Sequence, residues 1–180
     1  VMKLGLLSIL SGENMILVGP PGTAKSEISR RLREILADSG SETYFEYLFT
    51  KFTTPEEIFG PLSIKQLQND KFERNTEGYM PSSRIVFLDE IFKANSSILN
   101  TLLTILNERV FHNGLKREKT PLISLIGASN ELPFENDELT ALYDRFLIRA
   151  VVGYVSDDEI EMLLDIKETD MEIPAEIKFT

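Results

Sequence analysis

Apolar and polar positions change period several times along the chain. Met15-Ile16-Leu17-Val18, Ile85-Val86-Phe87-Leu88, Leu122 to Ile126 and Phe146-Leu147-Ile148 are short apolar runs, the pattern of strands buried on both faces. Tyr44 to Phe49 is aromatic-rich and also strand-like. Between these runs the period becomes helical. Ile28, Leu32, Ile35 and Leu36 form one stripe after Lys25, ended by Asp38-Ser39-Gly40-Ser41. Residues 96–107 are apolar over a wide helical face, and residues 2–10 predict a short amphipathic helix broken at Ser11-Gly12. Thr54-Pro55-Glu56-Glu57 combines a cap, a proline at the first helical position and a capping-box glutamate, and Gly60-Pro61 stops that helix. Ser156-Asp157-Asp158-Glu159 opens another helix in the same way. Two hairpins are expected. One covers residues 62–80 around Asn69-Asp70, and the other turns at Asn113-Gly114 between Val110 and Lys116. Short buried strands alternating with helices predict an α/β fold, a parallel sheet flanked by helices on both faces.

The connections carry the chemistry. Gly19-Pro20-Pro21-Gly22-Thr23-Ala24-Lys25-Ser26 follows a strand and opens a helix, the context of a phosphate-binding loop. Its glycines let backbone N–H groups converge on a phosphate, and the helix N-terminus adds partial positive charge. Lys25 would reach the β- and γ-phosphates, and Ser26 would place its hydroxyl on Mg²⁺. Ala24 stands where a glycine is usual, which adds one methyl and removes no N–H. Asp89-Glu90 ends an apolar strand, at the sheet edge where ligands of open α/β proteins sit. Asp89 can position the metal, and Glu90 can orient and deprotonate a water. Asn130, after the strand at 122–126, can hydrogen-bond both that water and a phosphate oxygen; a turn-forming asparagine is the competing reading. Arg145, in Asp144-Arg145-Phe146, can point outward and stabilise transition-state charge in a neighbouring subunit; Arg149 is a rival, and an ordinary surface pair with Asp144 is the plainer alternative.

Composition narrows the classes. The 180 residues carry a net charge of −10, which disfavours a broad electrostatic grip on nucleic acid or an anionic membrane. There is no cysteine, which excludes disulfide scaffolds, thiolate metal sites and thiol nucleophiles, and suits the cytosol. The single histidine, His112, sits beside the Asn-Gly turn and reads as a hairpin residue. No apolar run approaches the ~18 residues of a membrane span. Val1 in place of methionine reads as a chain cut from something longer.

Taken together, these residues resemble a AAA+ ATPase of the MoxR group, most like its RavA-type members. The resemblance rests on Gly19–Ser26 as Walker A, Ile85–Glu90 as Walker B, Asn130 as sensor, Leu142–Phe146 as arginine-finger segment, and Phe52–Leu62 as that group's insertion. It implies a P-loop NTPase fold with inserted β-hairpins, a nucleotide-binding core over residues 1–152, and the start of a lid or linker over 153–180, most of the helical lid being missing. It further implies Mg²⁺-dependent hydrolysis of ATP to ADP, assembly into a ring of six, and remodelling of client proteins with a von Willebrand factor A-type partner. A small-molecule kinase and a DNA-directed motor remain alternatives, the first weakened by Glu90, which a water-excluding kinase has no use for, and the second by the charge. No guanine-specifying Asn-Lys-x-Asp motif occurs, so adenine is the expected base.

Overall fold

The computed structural model describes residues 1–23, 25–35, 44–133 and 137–154. In chain order the elements are α1 (Met2–Ser11), β1 (Met15–Val18), α2 (Lys25–Ile35), β2 (Tyr44–Leu48), α3 (Pro55–Phe59), α4 (Ile64–Leu67), β3 (Ile85–Asp89), α5 (Ser96–Glu108), β4 (Val110–Asn113), β5 (Lys116–Lys119), β6 (Ser124–Ser129), α6 (Asp137–Tyr143) and β7 (Ile148–Val151). Five strands pair in parallel in the order β2-β3-β6-β1-β7, and β4 with β5 forms a separate antiparallel hairpin.

Alternation along each central strand builds two cores. Met15, Leu17 and Phe87 face one side, where they meet Ile9 of α1 and Leu32 of α2. Ile16, Val86 and Leu88 face the other, against Ile98 and Leu102 of α5 and Leu142 of α6. Every residue of β6 is buried, as expected of a strand covered on both faces. Register then aligns the strand ends. Val18 lies opposite Ser129, and Leu88 lies opposite Gly127, so the loops after β1, β3 and β6 leave from one edge with β6 in the middle.

Several expectations move. The segment 62–80 doubles back, but not as a strand hairpin: Ser63 caps the single helical turn α4, and one bridge, Leu62 to Arg74, replaces a ladder. One inserted hairpin, β4–β5, is therefore present among the described residues rather than two. The strand read at 122–126 runs from Ser124 to Ser129, and the one read at 146–148 runs from Ile148 to Val151. Phe146, outside β7, is fully buried and packs over Gly127 of β6, where a Cβ would come 3.1 Å from its ring. Leu36 of the α2 stripe and the helix read from Ser156 lie outside the described residues.

At the opposite edge, Arg109 closes α5 in a left-handed conformation and donates to the carbonyls of Gly12 (2.9 Å) and Ile123 (3.3 Å). Burial pulls this guanidinium's pKa down, and the nearby Glu13 carboxylate pulls it back up. Among the described residues no helix is long and apolar enough to cross a membrane.

Candidate nucleotide site

The loop after β1 cannot continue the strand. Gly19 passes so close to the Val152 carbonyl that any side chain would collide with it, and Gly22 adopts φ +81°. The Thr23 hydroxyl donates to the Pro20 carbonyl at 2.9 Å and closes the turn. Lys25 then begins α2 with its side chain folded back under the loop. Its ammonium donates to the carbonyls of Gly19 and Pro20, both at 2.8 Å, to Asn130 Oδ1 at 2.9 Å, and lies 3.4 Å from Thr23 Oγ1. Lys25 is 6% exposed, and each of those acceptors is neutral. A buried cation that no carboxylate touches among the described residues is electrostatically incomplete, and an anion is what completes it.

One residue on, the Ser26 hydroxyl donates to Asp89 Oδ2 at 3.1 Å. Asp89 ends β3, and its other oxygen accepts from the Glu90 N–H at 2.9 Å. Glu90 takes a left-handed backbone, φ 53° and ψ 39°, which costs a non-glycine residue about 1–2 kcal/mol. That turn sends its carboxylate away from the Asp89 side and toward β6. There Asn130 Nδ2 donates to Glu90 Oε1, while Lys93 Nζ lies 3.3 Å from Glu90 Oε2. Asn130 bridges Lys25 and Glu90 because β6 sits between β1 and β3 in the sheet.

The hydroxyl and carboxylate of Ser26 and Asp89 are hard oxygen donors, the set a magnesium ion takes alongside phosphate oxygens. The carbonyls now holding the Lys25 ammonium are exchangeable for phosphate oxygens of stronger charge. The residues present therefore fit Mg²⁺ and a triphosphate.

Of the residues singled out in the sequence, Gly19, Pro20, Thr23, Lys25, Ser26, Asp89, Glu90 and Asn130 are joined by the hydrogen bonds just given, Gly22 supplies the turn, and Pro21 is exposed on its outer side. Ala24 lies outside the described residues. Arg145 is not part of this cluster. Its side chain is exposed, and among the described residues nothing engages its guanidinium. The rival Arg149 is occupied: it donates to the carbonyls of Phe146 and Tyr143, pairs with Asp144 at 3.3 Å and lies 4.1 Å over the Tyr143 ring. Two contributors had no local signal. Asn14, buried before β1, accepts from the Leu125 N–H and donates to the Arg145 carbonyl, anchoring the arginine segment to the sheet. Lys93, in the 3₁₀ turn Ile91–Lys93 after β3, is the other.

A family model described as the MoxR domain in MoxR–vWA–β-propeller ternary systems matches residues 1–174. The chain belongs to the MoxR family. Two uncharacterized proteins of Methanocaldococcus jannaschii, MJ0812 and MJ0079, are each 56% identical to this MoxR domain over 169 residues, covering 93% of it and 44% and 43% of themselves. Structural protein ORF618 of Acidianus two-tailed virus is 33% identical over 166 residues, 89% of this chain and 26% of its own length. The domain thus spans less than half the length of these relatives. A crystal structure from Cytophaga hutchinsonii, described as that of a candidate ATPase, superposes with a TM-score of 0.65 at 20% identity, covering 95% of this chain and 51% of that one. NtrX from Brucella abortus gives 0.55 at 19% identity, covering 83% and 36%. At such identities the likeness concerns the fold, the P-loop α/β fold of AAA+ proteins.

Proposed function

We propose that this MoxR domain binds Mg²⁺·ATP and hydrolyses it to ADP and phosphate, as the motor core of a ring-forming remodelling ATPase. The observation that carries the reading is the buried Lys25 ammonium, held among the described residues by neutral oxygens at a helix start beside the Ser26–Asp89 pair. Backbone N–H groups of the loop and Lys25 would bind the triphosphate. Ser26 and Asp89 would hold Mg²⁺, which when bound neutralises charge on the phosphate oxygens. Glu90 would accept a proton from the attacking water, and Asn130, already hydrogen-bonded to it, would orient that water. Arg145, exposed and anchored through its carbonyl, would stabilise transition-state charge in the next subunit.

The family description supports a von Willebrand factor A-type partner, and a client protein follows from the same reading. The RavA-type subdivision, the division into a core over 1–152 and a lid start over 153–180, hexameric assembly and a cytoplasmic location belong to the proposal as well. Phosphate release, nucleotide affinity and sedimentation test it together. Glu90→Gln should retain ATP binding and lose turnover. Arg145→Ala should bind as tightly as wild type and lose roughly 10³-fold in turnover by the assembled ring. Phosphate release unaffected by Glu90→Gln would remove the hydrolytic reading, and rapid hydrolysis by a verified monomer would remove the role of Arg145.

A further inference from the structure

Both oxygens of the Glu90 carboxylate have a polar neighbour. Asn130 Nδ2 donates to Oε1, and the Lys93 ammonium sits 3.3 Å from Oε2. The Glu90 side chain is 14% exposed and that of Lys93 48%, so the pair lies at the mouth of the site rather than on open surface. The two residues are also locked through the backbone: the Lys93 N–H donates to the Glu90 carbonyl at 2.8 Å, within the 3₁₀ turn Ile91–Lys93. Glu90's left-handed backbone fixes where its carboxylate emerges, and Lys93 meets it there. With Lys25 donating to Asn130, the four side chains form one chain: Lys25, Asn130, Glu90, Lys93.

An oxygen that is to take a proton from water must present a lone pair to that water. Each carboxylate oxygen has about two lone-pair sites. Here one oxygen accepts from the sensor amide and the other is ion-paired with an ammonium, so Asn130 and Lys93 together set the direction in which the remaining lone pairs face. We infer that Lys93 is a positioning residue that restrains Glu90 in the nucleotide-free state, so that the Lys93–Glu90 pair has to part before Glu90 can act. This inference rests on the ATP-hydrolysing reading above. The restraint is graded, because one member of the pair is half exposed and water competes for it. It acts on the turnover step, since neither Lys93 nor Glu90 lies among the acceptors and donors of the phosphate loop.

Two measurements on Lys93→Ala and Lys93→Arg decide it. The first is water exchange of the Asn130 side-chain amide protons, followed by NMR in the nucleotide-free chain. The second is steady-state phosphate release in whatever assembly gives wild-type turnover. Lys93→Ala should speed the exchange and raise kcat, each about two- to fivefold, with KM for ATP within twofold; Lys93→Arg, which keeps the cation, should return both toward wild type. Unchanged exchange, or a kcat that falls in Lys93→Ala, overturns the restraint. If exchange speeds as expected while wild type and variants alike release no phosphate, the restraint stands and the ATPase reading falls.

Discussion

The phosphate-loop edge and the insertion between α3 and β3 are both polar, and they are built in opposite ways. At the edge, side chains hydrogen-bond mainly to one another or to loop carbonyls that a ligand can replace, and among the described residues the positive charge of Lys25 has no negative partner in contact. In the insertion, side chains bind backbone groups and oppositely charged side chains. Asn113 is 5% exposed. Its Oδ1 accepts from the Arg74 N–H at 2.6 Å, and its Nδ2 donates to the Arg74 carbonyl at 3.1 Å, so one amide stands in for a strand pairing between hairpin and insertion. Arg74 in turn donates to Glu56 at 3.0 Å and to the Gly60 carbonyl at 2.8 Å, and Lys116 pairs with Glu73 at 2.7 Å. A network left electrostatically incomplete serves a ligand at the expense of stability; a completed one serves the fold.

Removing Lys25 gives the largest separation of the two. Lys25→Met should weaken ATP binding by at least about 100-fold, while the melting temperature of the free protein holds or rises, because an incompletely paired buried charge is removed. Calorimetry of binding and of unfolding read both; a drop in melting temperature of several degrees would make Lys25 a structural residue and erase the contrast. Asn113→Ala should do the converse. It leaves the N–H and carbonyl of Arg74 without their partner, at a cost of about 1–3 kcal/mol in urea unfolding, with faster amide exchange in residues 62–79 and ATP affinity within twofold. Loss of nucleotide affinity in that variant would show that the two regions are one unit.

Acid titration gives the smallest effect. The Glu56 carboxyl is held below the usual carboxylate range by its own backbone N–H first and by the Arg74 guanidinium second. A depressed pKa contributes stability at pH values above the unfolded carboxylate pKa of about 4.3, and that contribution is lost as pH falls through the folded value. Because Glu56 is largely exposed, the contribution is small. Glu56→Gln should cost a small, constant amount of stability at neutral pH, and the difference from wild type should vanish as pH falls below the carboxylate range; a difference that persists or grows at low pH would assign Glu56 another role.

Local signals were reliable where local chemistry decides. The capping box at Thr54 and Glu57 and the apolar strands β1 and β3 stand where the sequence reads them, whereas the turn expected at Asn113-Gly114 falls one residue later, at Gly114-Leu115, because Asn113 ends β4 opposite Lys116. The hairpin expected over residues 62–80 gives way because Ile64 and Leu67, spaced by three after Ser63, make one capped helical turn that weak alternation masks. Asn113 reads as a turn residue, but it ends β4 and cross-links to Arg74, a partner 39 positions away that no local pattern contains.

The site divides along the same line. Sequence alone determined the loop at Gly19–Ser26, the acidic pair at the end of β3 and the asparagine after β6, because glycine dihedrals, strand ends and helix starts are properties of a few adjacent residues. Tertiary structure alone decided that Asn130 joins Lys25, 105 positions away, to Glu90, 40 positions away, and that Asp144 takes Arg149 and leaves Arg145 exposed. Those contacts follow from strand order and register, which place β6 between β1 and β3, and no window of local sequence contains that order.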